Sequence, residues 1–414
     1  MSESGYDFGQ LLLLTGTVVV LAMVIKTAFD RTAFPSLVGF LILGFGLKLV
    51  DTQFDLMGET GHHIFHFLAK IGLFALLFRI GMESNLKRLA HQLRGASVVW
   101  ALNLSISGLF GFVTAYSFLR FPLIPSLMVG AALTATSVGI SVDVWKKRGA
   151  LDSDDGSLLL DTAELDDISA VIIMALMLSI APTLKSGESV SILPTLGYVG
   201  GLFVIKLIAF AVGCTAFAYL VERRVQAFFV EKEPPEDFIL IVAGIGLVIA
   251  SFAAMLGFSI AIGAFFAGLV FSNDPKVLKR ETSFMPLHEM FAPFFFIGIG
   301  LSIDPAAFSS SAEIALPILV AAVLGKVVGT GIPVCLMKGR RSAVLIGVSM
   351  VPRAEIAMVI AQTAVTMGAW ALPADAYGAI VLVCAATCLV TPVVVNQLLS
   401  KWPQGNEQSK GAGS

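Results

Sequence analysis

Charge is scarce in this chain. Asp, Glu, Lys and Arg together make up 14% of its 414 residues, against 57% apolar residues. A soluble domain carries roughly a quarter charged residues. The apolar runs that recur from Gln10 almost to the C-terminus therefore exclude a soluble globular class and predict an all-α polytopic membrane protein. The few charges nearly balance, and a formal net charge of −2 offers no electrostatic footing for nucleic acid. Cysteine is equally sparse. Cys214, Cys335, Cys384 and Cys388 all lie inside apolar runs, where a thiol reads as a small packing residue and not as a disulfide or metal ligand. Cys384 and Cys388 share a helix face but lack neighbours of ligand type. Nothing basic precedes the first run and no small-residue cleavage site follows it, so it reads as a span, not a cleavable signal.

Thirteen apolar spans are expected, centred near Val19, Leu43, Leu73, Gly108, Leu133, Ser169, Leu207, Leu247, Phe265, Phe295, Val323, Val359 and Cys384. With the N-terminus outside, the inside segments collect Lys26, Arg31, Arg79, Lys87, Arg88, Arg94, Lys146, Lys147, Arg148, Arg223, Arg224, Lys232, Lys276, Lys279, Arg280, Lys338, Arg340, Arg341, Lys401 and Lys410. The outside loops keep only Lys48, Arg120 and Lys185. This bias fixes the expected orientation, with the C-terminus cytoplasmic, in a cell inner (plasma) membrane. The longest polar segment, Glu222 to Asp237, reads as a cytoplasmic linker after span seven, and six spans stand on either side of that span. An odd linking helix inverts the second half, so two inverted-topology repeats are expected. Residues 1–182 form the first repeat, 183–235 the linker helix and loop, 236–400 the second repeat, and 401–414 a short polar tail with no soluble regulatory domain.

The fifth and twelfth spans carry interruptions at matching places. In the fifth (123–145) it is Thr134-Ala-Thr136-Ser137-Val-Gly139; in the twelfth (342–368) it is Met350-Val-Pro352-Arg353-Ala-Glu355. Proline removes a backbone donor, while Thr, Ser and Gly let a helix unwind and satisfy its freed groups. Two broken helices present opposed half-helix dipoles, and Arg353 and Glu355 are the residue types that compensate them. Between these spans lies the sixth (157–181), with Asp166 and Asp167 side by side near its middle. One mid-membrane Asp costs about 2.5–3.5 kcal/mol on insertion scales, so a pair points to function. The eleventh span adds Lys326 between Gly325 and Gly329, a small-residue face that lets a neighbour approach closely enough for an Asp–Lys pair. One lysine cannot offset two carboxylates, and the surplus invites a cation or a proton.

Other polar groups carry weaker signals. Asp161 and Glu164 precede Asp167 by single turns and could mark a cytoplasmic path, with Asp152, Asp154 and Asp155 either a cation-collecting funnel or a solvated surface. For Glu164, an ion pair with Arg353 is as plausible as a transport role. His62, His63 and His66 open the third span; they could sense pH or hold a metal, but ordinary interfacial polar residues fit better. Lys70 and Lys206 are expected to snorkel or pair locally.

Over nearly its whole length the chain resembles the cation/proton antiporters of the NapA, NhaA and Kef type, with the NapA-like branch most similar. The resemblance rests on Thr134-Ala-Thr-Ser-Val-Gly139, the Asp166-Asp167 pair, Gly263-Ala-Phe-Phe-Ala-Gly268, Pro293-Phe-Phe-Phe-Ile-Gly-Ile-Gly300, Gly325-Lys326 and Val351-Pro-Arg-Ala-Glu355, in that order. It implies that Asp167 carries ion and proton, that Asp166 partners Lys326, and that Thr134, Thr136 and Ser137 neighbour the site on the first unwound segment. Pro352, Arg353 and Glu355 then belong to the second broken helix. It also implies a homodimer, no cofactor beyond transported Na⁺ or Li⁺ and H⁺, and an elevator-like motion of a core made of spans three to six and ten to thirteen. NhaA has an acidic residue where this chain has Ser137, so charge compensation there cannot be carried over. The Kef branch shows Gln-Asp where this chain shows Asp-Asp, which favours electrogenic Na⁺ exchange over K⁺/H⁺ exchange. A sodium-coupled organic-anion symporter, a channel and a transport-dead sensor are the other classes open to this architecture. In the antiporter reading Asp166, Asp167 and Lys326 titrate as one coupled cluster for which cation and proton compete.

Overall fold

The computed structural model describes residues 8–32, 34–83, 86–185, 192–217, 235–272 and 281–404. Among these, every regular element is helical. Eight helices are long and apolar enough to cross a membrane, and five shorter apolar helices accompany them. Most of the expected linker Glu222 to Asp237 lies outside the described residues, as do Arg223, Arg224, Lys232, Lys276, Lys279, Arg280 and Lys410 of the expected inside segments. The chain divides into two compact units.

The first unit is built from Met1–Ala28, Gly39–Leu86 and Gly187–Ser302. It holds most of α1 (Phe8–Asp30) and α2 (Ser36–Phe54), then α3 (Gly58–Glu83), α8 (Ile192–Phe217), α9 (Pro235–Met255), α10 (Ile260–Phe271) and α11 (Glu281–Leu301). Lipid offers side chains as apolar a home as a neighbouring helix does, so helices in a membrane associate through close packing, which small residues permit. Gly81 of α3 and Gly268 of α10 show this. A Cβ on Gly81 would collide with the Phe265 carbonyl, and one on Gly268 with that of Phe78. Against α11, α3 adds the Phe65–Phe294 ring pair, with centroids 6.1 Å apart. Gly263 to Gly268 and Pro293 to Gly300 are thus packing segments. These contacts correct one expectation: spans three and ten, here α3 and α11, belong to this unit and not to the bundle that holds the paired aspartates.

That bundle is the second unit, Phe29–Val38, Lys87–Ser186 and Ile303–Ser414. It contains nearly all of α4 (Leu86–Val113), then α5 (Leu123–Thr134), α6 (Gly139–Lys147), α7 (Asp154–Lys185), α12 (Phe308–Lys338), α13 (Arg340–Ser349), α14 (Glu355–Met367) and α15 (Ala374–Lys401). A π-helical turn, Thr114–Phe118, continues α4. The long α7 opens with Asp154 and Asp155, which complement the positive end of its dipole. Two spans break. The chain leaves α5 at Ala135 in extended conformation (φ −63°, ψ 144°) and resumes helix at Gly139. It leaves α13 after Ser349 and resumes at Glu355, with Pro352 between. Under the breaks, Trp145, Leu159, Leu345, Ile346 and Met350 form a tightly buried apolar cluster. The Trp145 indole N–H donates to Ser349 Oγ at 2.9 Å, so this large ring is buried with its donor satisfied. The glycines of α12 do what their spacing predicts: a Cβ on Gly325 would lie 3.0 Å from Ser107 Cα, and one on Gly329 2.9 Å from Asn103 Cα. Only glycine lets α12 approach α4 this closely, and that approach seats Lys326 deep in the bundle.

Candidate functional site

The two breaks meet. Ser137 N–H donates to the Pro352 carbonyl at 2.8 Å, pairing one unwound segment with the other. Unwinding α5 leaves carbonyls at its negative end without helical partners. Two buried cations cover them: Lys326 Nζ donates to the Thr134 carbonyl at 2.7 Å, and Arg353 Nη1 to that of Ala135 at 2.6 Å. Glu355 sits in the first turn of α14, where the dipole favours an anion. It also accepts a 2.7 Å hydrogen bond from Ser137 Oγ. The acidic group missing from the first break is therefore supplied by the second.

Asp166 is fully buried, and its oxygens have three donors. Asn103 Nδ2 reaches Oδ1 at 3.0 Å, while Oδ2 takes Lys326 Nζ at 2.8 Å and the hydroxyl of Thr136. Its main-chain carbonyl accepts from Ser169 Oγ, which in turn accepts from the Trp100 indole. Asp167 differs. It is half-buried, and no side-chain hydrogen bond or ion pair reaches it among the described residues. Asp166, Glu355, Glu164 and Lys326 act on it electrostatically. Three of these four neighbours are carboxylates, so negative charge is in excess around an open acceptor. Chemically, such a place takes a proton or a hard monovalent cation, since either restores near-neutrality away from bulk water.

The structure thus gathers Thr134, Thr136, Ser137, Asp166, Asp167, Lys326, Pro352, Arg353 and Glu355 within one bundle. Asp161 and Glu164 lie half-buried on α7 in the turns before Asp167. Of the two readings of Glu164, the ion pair with Arg353 is not formed among the described residues. Arg353 donates instead to the carbonyls of Ala135 and Ala322, the latter at 3.0 Å, because the break at Ala135 exposes an acceptor that the planar guanidinium can bridge. Asp155 is neither funnel nor open surface: it is buried and pairs with Lys338 at 3.3 Å. His62 pairs with the buried Asp51 at 3.0 Å in the other unit, and Asp51 also accepts from Met57 N–H at 2.9 Å. Among the described residues no group of three or more His, Cys, Asp or Glu is placed to hold a metal. Lys70 and Lys206 are exposed.

Four residues here escape a reading of the sequence. Asn103 is one, and Thr330 donates to its Oδ1 at 3.2 Å. The other two, Thr387 and Cys388, lie on α15 and hold the unwound peptide of Arg353. Thr387 Oγ1 accepts its N–H at 3.2 Å, and Cys388 Sγ donates to its carbonyl at 3.1 Å. The lone amide of Asn103 in an apolar span, one turn from Ser107, is the signal that could have found it.

Residues 18–401 match the family described as sodium/hydrogen exchanger, transmembrane. The chain is 28% identical over 364 residues to the high-affinity Na⁺/H⁺ antiporter NhaS3 of Synechocystis, covering 84% of this chain and 75% of that protein. It is 26% identical over 383 residues to the K⁺/H⁺ antiporter subunit KhtU of Bacillus subtilis, covering 89% and 87% respectively. Its fold matches the sodium proton antiporter MjNhaP1 of Methanocaldococcus jannaschii with a TM-score of 0.67 at 16% identity, over 96% of this chain and 98% of that one. A match over most of the length, on a helical fold with paired aspartates at two broken helices, establishes that the chain belongs to the transmembrane sodium/hydrogen exchanger family.

Proposed function

We propose that this chain is a secondary Na⁺(Li⁺)/H⁺ antiporter that works electrogenically, with Asp167 as the residue that carries the cation or the proton. The observation behind the reading is the contrast between the two aspartates: Asp166 is satisfied by Lys326, Thr136 and Asn103, while Asp167 has open acceptor oxygens amid further carboxylates. A loaded site, with either Na⁺ or protons, is close to neutral and can change its access. The empty anionic site is costly to move through hydrocarbon, which couples the two fluxes. Ser137, Thr134 and Glu355 offer further oxygens at the breaks, and Asp161 and Glu164 mark the route from the cytoplasm. Two ionisable carboxylates beside one lysine allow more than one proton per cation.

The wider architecture in this reading is thirteen spans in two inverted repeats, with crossed broken helices, the N-terminus outside and the C-terminus cytoplasmic, as a homodimer in the plasma membrane. Supporting it, the long and short apolar helices lie at the expected span positions, and the site bundle draws helices from both halves of the chain. Alternating access carries the site within that bundle, by an elevator-type motion. A K⁺/H⁺ exchanger is the second reading, favoured by the similarity to KhtU. Purified protein in vesicles with a trapped pH dye separates the two. Na⁺ and Li⁺ are expected to drive proton movement and K⁺ to fail. Response to K⁺ alone establishes the second reading, and no proton movement with any of the three sinks exchange altogether.

A further inference from the structure

Pro352 marks where the second break falls, yet proline alone does not open a helix in this chain. Pro317 and Pro333 lie inside the continuous α12, and Pro392 inside α15. A helix in a membrane tolerates the missing N–H when the bonds around it still find partners. At the second break one bond in particular stays open. Continuing α13 would join the Arg353 N–H to the Ser349 carbonyl, one helical turn back. Both ends of that bond are instead taken by side chains of neighbouring helices. Ser141 Oγ of α6 donates to the Ser349 carbonyl at 2.7 Å, and Thr387 Oγ1 of α15 accepts the Arg353 N–H at 3.2 Å. Ser141, Ser349, Arg353 and Thr387 are all buried, so neither main-chain group can turn to bulk water.

Each hydroxyl is held to its task. Thr387 gives its proton to the Cys384 carbonyl of its own helix, at 3.0 Å, which leaves its lone pairs to face Arg353. Cys388, the next residue, donates Sγ–H to the Arg353 carbonyl at 3.1 Å, so α15 grips residue 353 by both its main-chain polar groups. On α6, Trp145 lies one turn after Ser141 and donates to Ser349 Oγ at 2.9 Å, which pins the end of α13 beside the Ser141 hydroxyl.

Resting on the antiporter reading, we infer that Ser141 and Thr387 are positioning residues that keep the second break open, by occupying the two ends of the main-chain bond that would close it. An open break delivers two contacts to the other unwound segment: the Pro352 carbonyl meets the Ser137 N–H, and the Arg353 guanidinium meets the Ala135 carbonyl. Without either hydroxyl, one end of the bond is buried and bare, and the Arg353 N–H turns back toward Ser349. The segment that carries both contacts turns with it. The oxygens that the breaks offer beside Asp167 lose their alignment, and the cation is held less tightly. Neither hydroxyl touches the transported ion; both act through the backbone of the break.

The test compares wild type with Thr387→Val, Thr387→Ser and Ser141→Ala in vesicles. Initial rates of Na⁺-driven proton movement are measured over a range of Na⁺ concentrations at one pH, with thermal unfolding followed on the same preparations. Thr387→Val keeps the shape and loses the hydroxyl, whereas Thr387→Ser keeps the hydroxyl and loses the methyl. Thr387→Val and Ser141→Ala are each expected to raise the apparent KM for Na⁺ about fivefold, the worth of one buried hydrogen bond, with the maximal rate kept. Thr387→Ser should match wild type in both. A residue that merely packs gives the reverse order at 387, with Thr387→Val silent and Thr387→Ser impaired. The inference is overturned if either hydroxyl-free variant keeps the wild-type KM, or if Thr387→Ser does no better than Thr387→Val. Should Thr387→Val fail to fold, Ser141→Ala reads the other end of the same bond and decides. Wild-type vesicles that move no protons with Na⁺ overturn the antiporter reading instead, so the two failures are told apart.

Discussion

Vesicles carrying Asp167→Asn are expected to show no Na⁺-driven proton movement at any pH, with the folded state intact. The substitution keeps size and shape and removes the charge that a cation or proton neutralises. Losing one member of a desolvated charge pair typically costs about 2–5 kcal/mol or more, which lowers ion occupancy about thirtyfold or beyond. Stability should move the other way or not at all. The Asp167 side chain accepts no hydrogen bond among the described residues and stands among Asp166, Glu355 and Glu164, so neutralising it relieves like-charge repulsion. Thermal unfolding of Asp167→Asn at or above wild type, together with lost transport, separates a working residue from a structural one. Transport that survives in this variant would move the exchange chemistry to another carboxylate.

Lys326→Ala should act in the opposite sense, on stability first. Lys326 is wholly buried and makes two hydrogen bonds, to Asp166 and to the Thr134 carbonyl at the end of α5. Removing it leaves a buried aspartate without its ion-pair partner, a change worth about 3–5 kcal/mol. The orphaned carbonyl adds about 1–3 kcal/mol unless it finds a new donor. A marked fall in unfolding temperature is expected. The double variant Asp166→Asn with Lys326→Ala should recover most of the loss, because residue 166 then carries no charge that needs the lysine. If the double variant is as unstable as the single one, the ion pair is not what Lys326 contributes, and the gap left by its aliphatic stem becomes the explanation.

How much of this was legible in the sequence depends on the distance over which each residue acts. Pro352 and the Thr134 to Gly139 run interrupt helices by local backbone chemistry, and the breaks lie where those residues predict. Asp166, Asp167 and Lys326 stood out because charges in apolar runs are rare, and the Gly325/Gly329 face announced close approach. Partner choice was harder to read. Arg353 turned to backbone acceptors because the break at Ala135 leaves a carbonyl bare, and no spacing rule relates those two positions. Asn103 was hidden because a short polar side chain in a helix usually bonds to its own backbone. Cys388 looked like packing, and it does pack, but its S–H also finds the Arg353 carbonyl. The allotment of α3 to the first unit depended on Gly72 and Gly81 meeting particular helices, and an apolar stripe does not say which neighbour it faces when lipid satisfies it equally well.

If cation and proton compete for one carboxylate cluster, the affinity for Na⁺ must fall as the proton concentration rises. Initial rates of Na⁺-driven proton movement would be measured over a range of Na⁺ concentrations at a series of pH values. Competition predicts that on the acidic limb the apparent KM for Na⁺ rises about tenfold for each unit fall in pH per proton displaced, while the maximal rate at saturating Na⁺ holds constant. A KM that stays flat across pH while the maximal rate falls would place proton and cation at separate sites and rule out competition for one cluster.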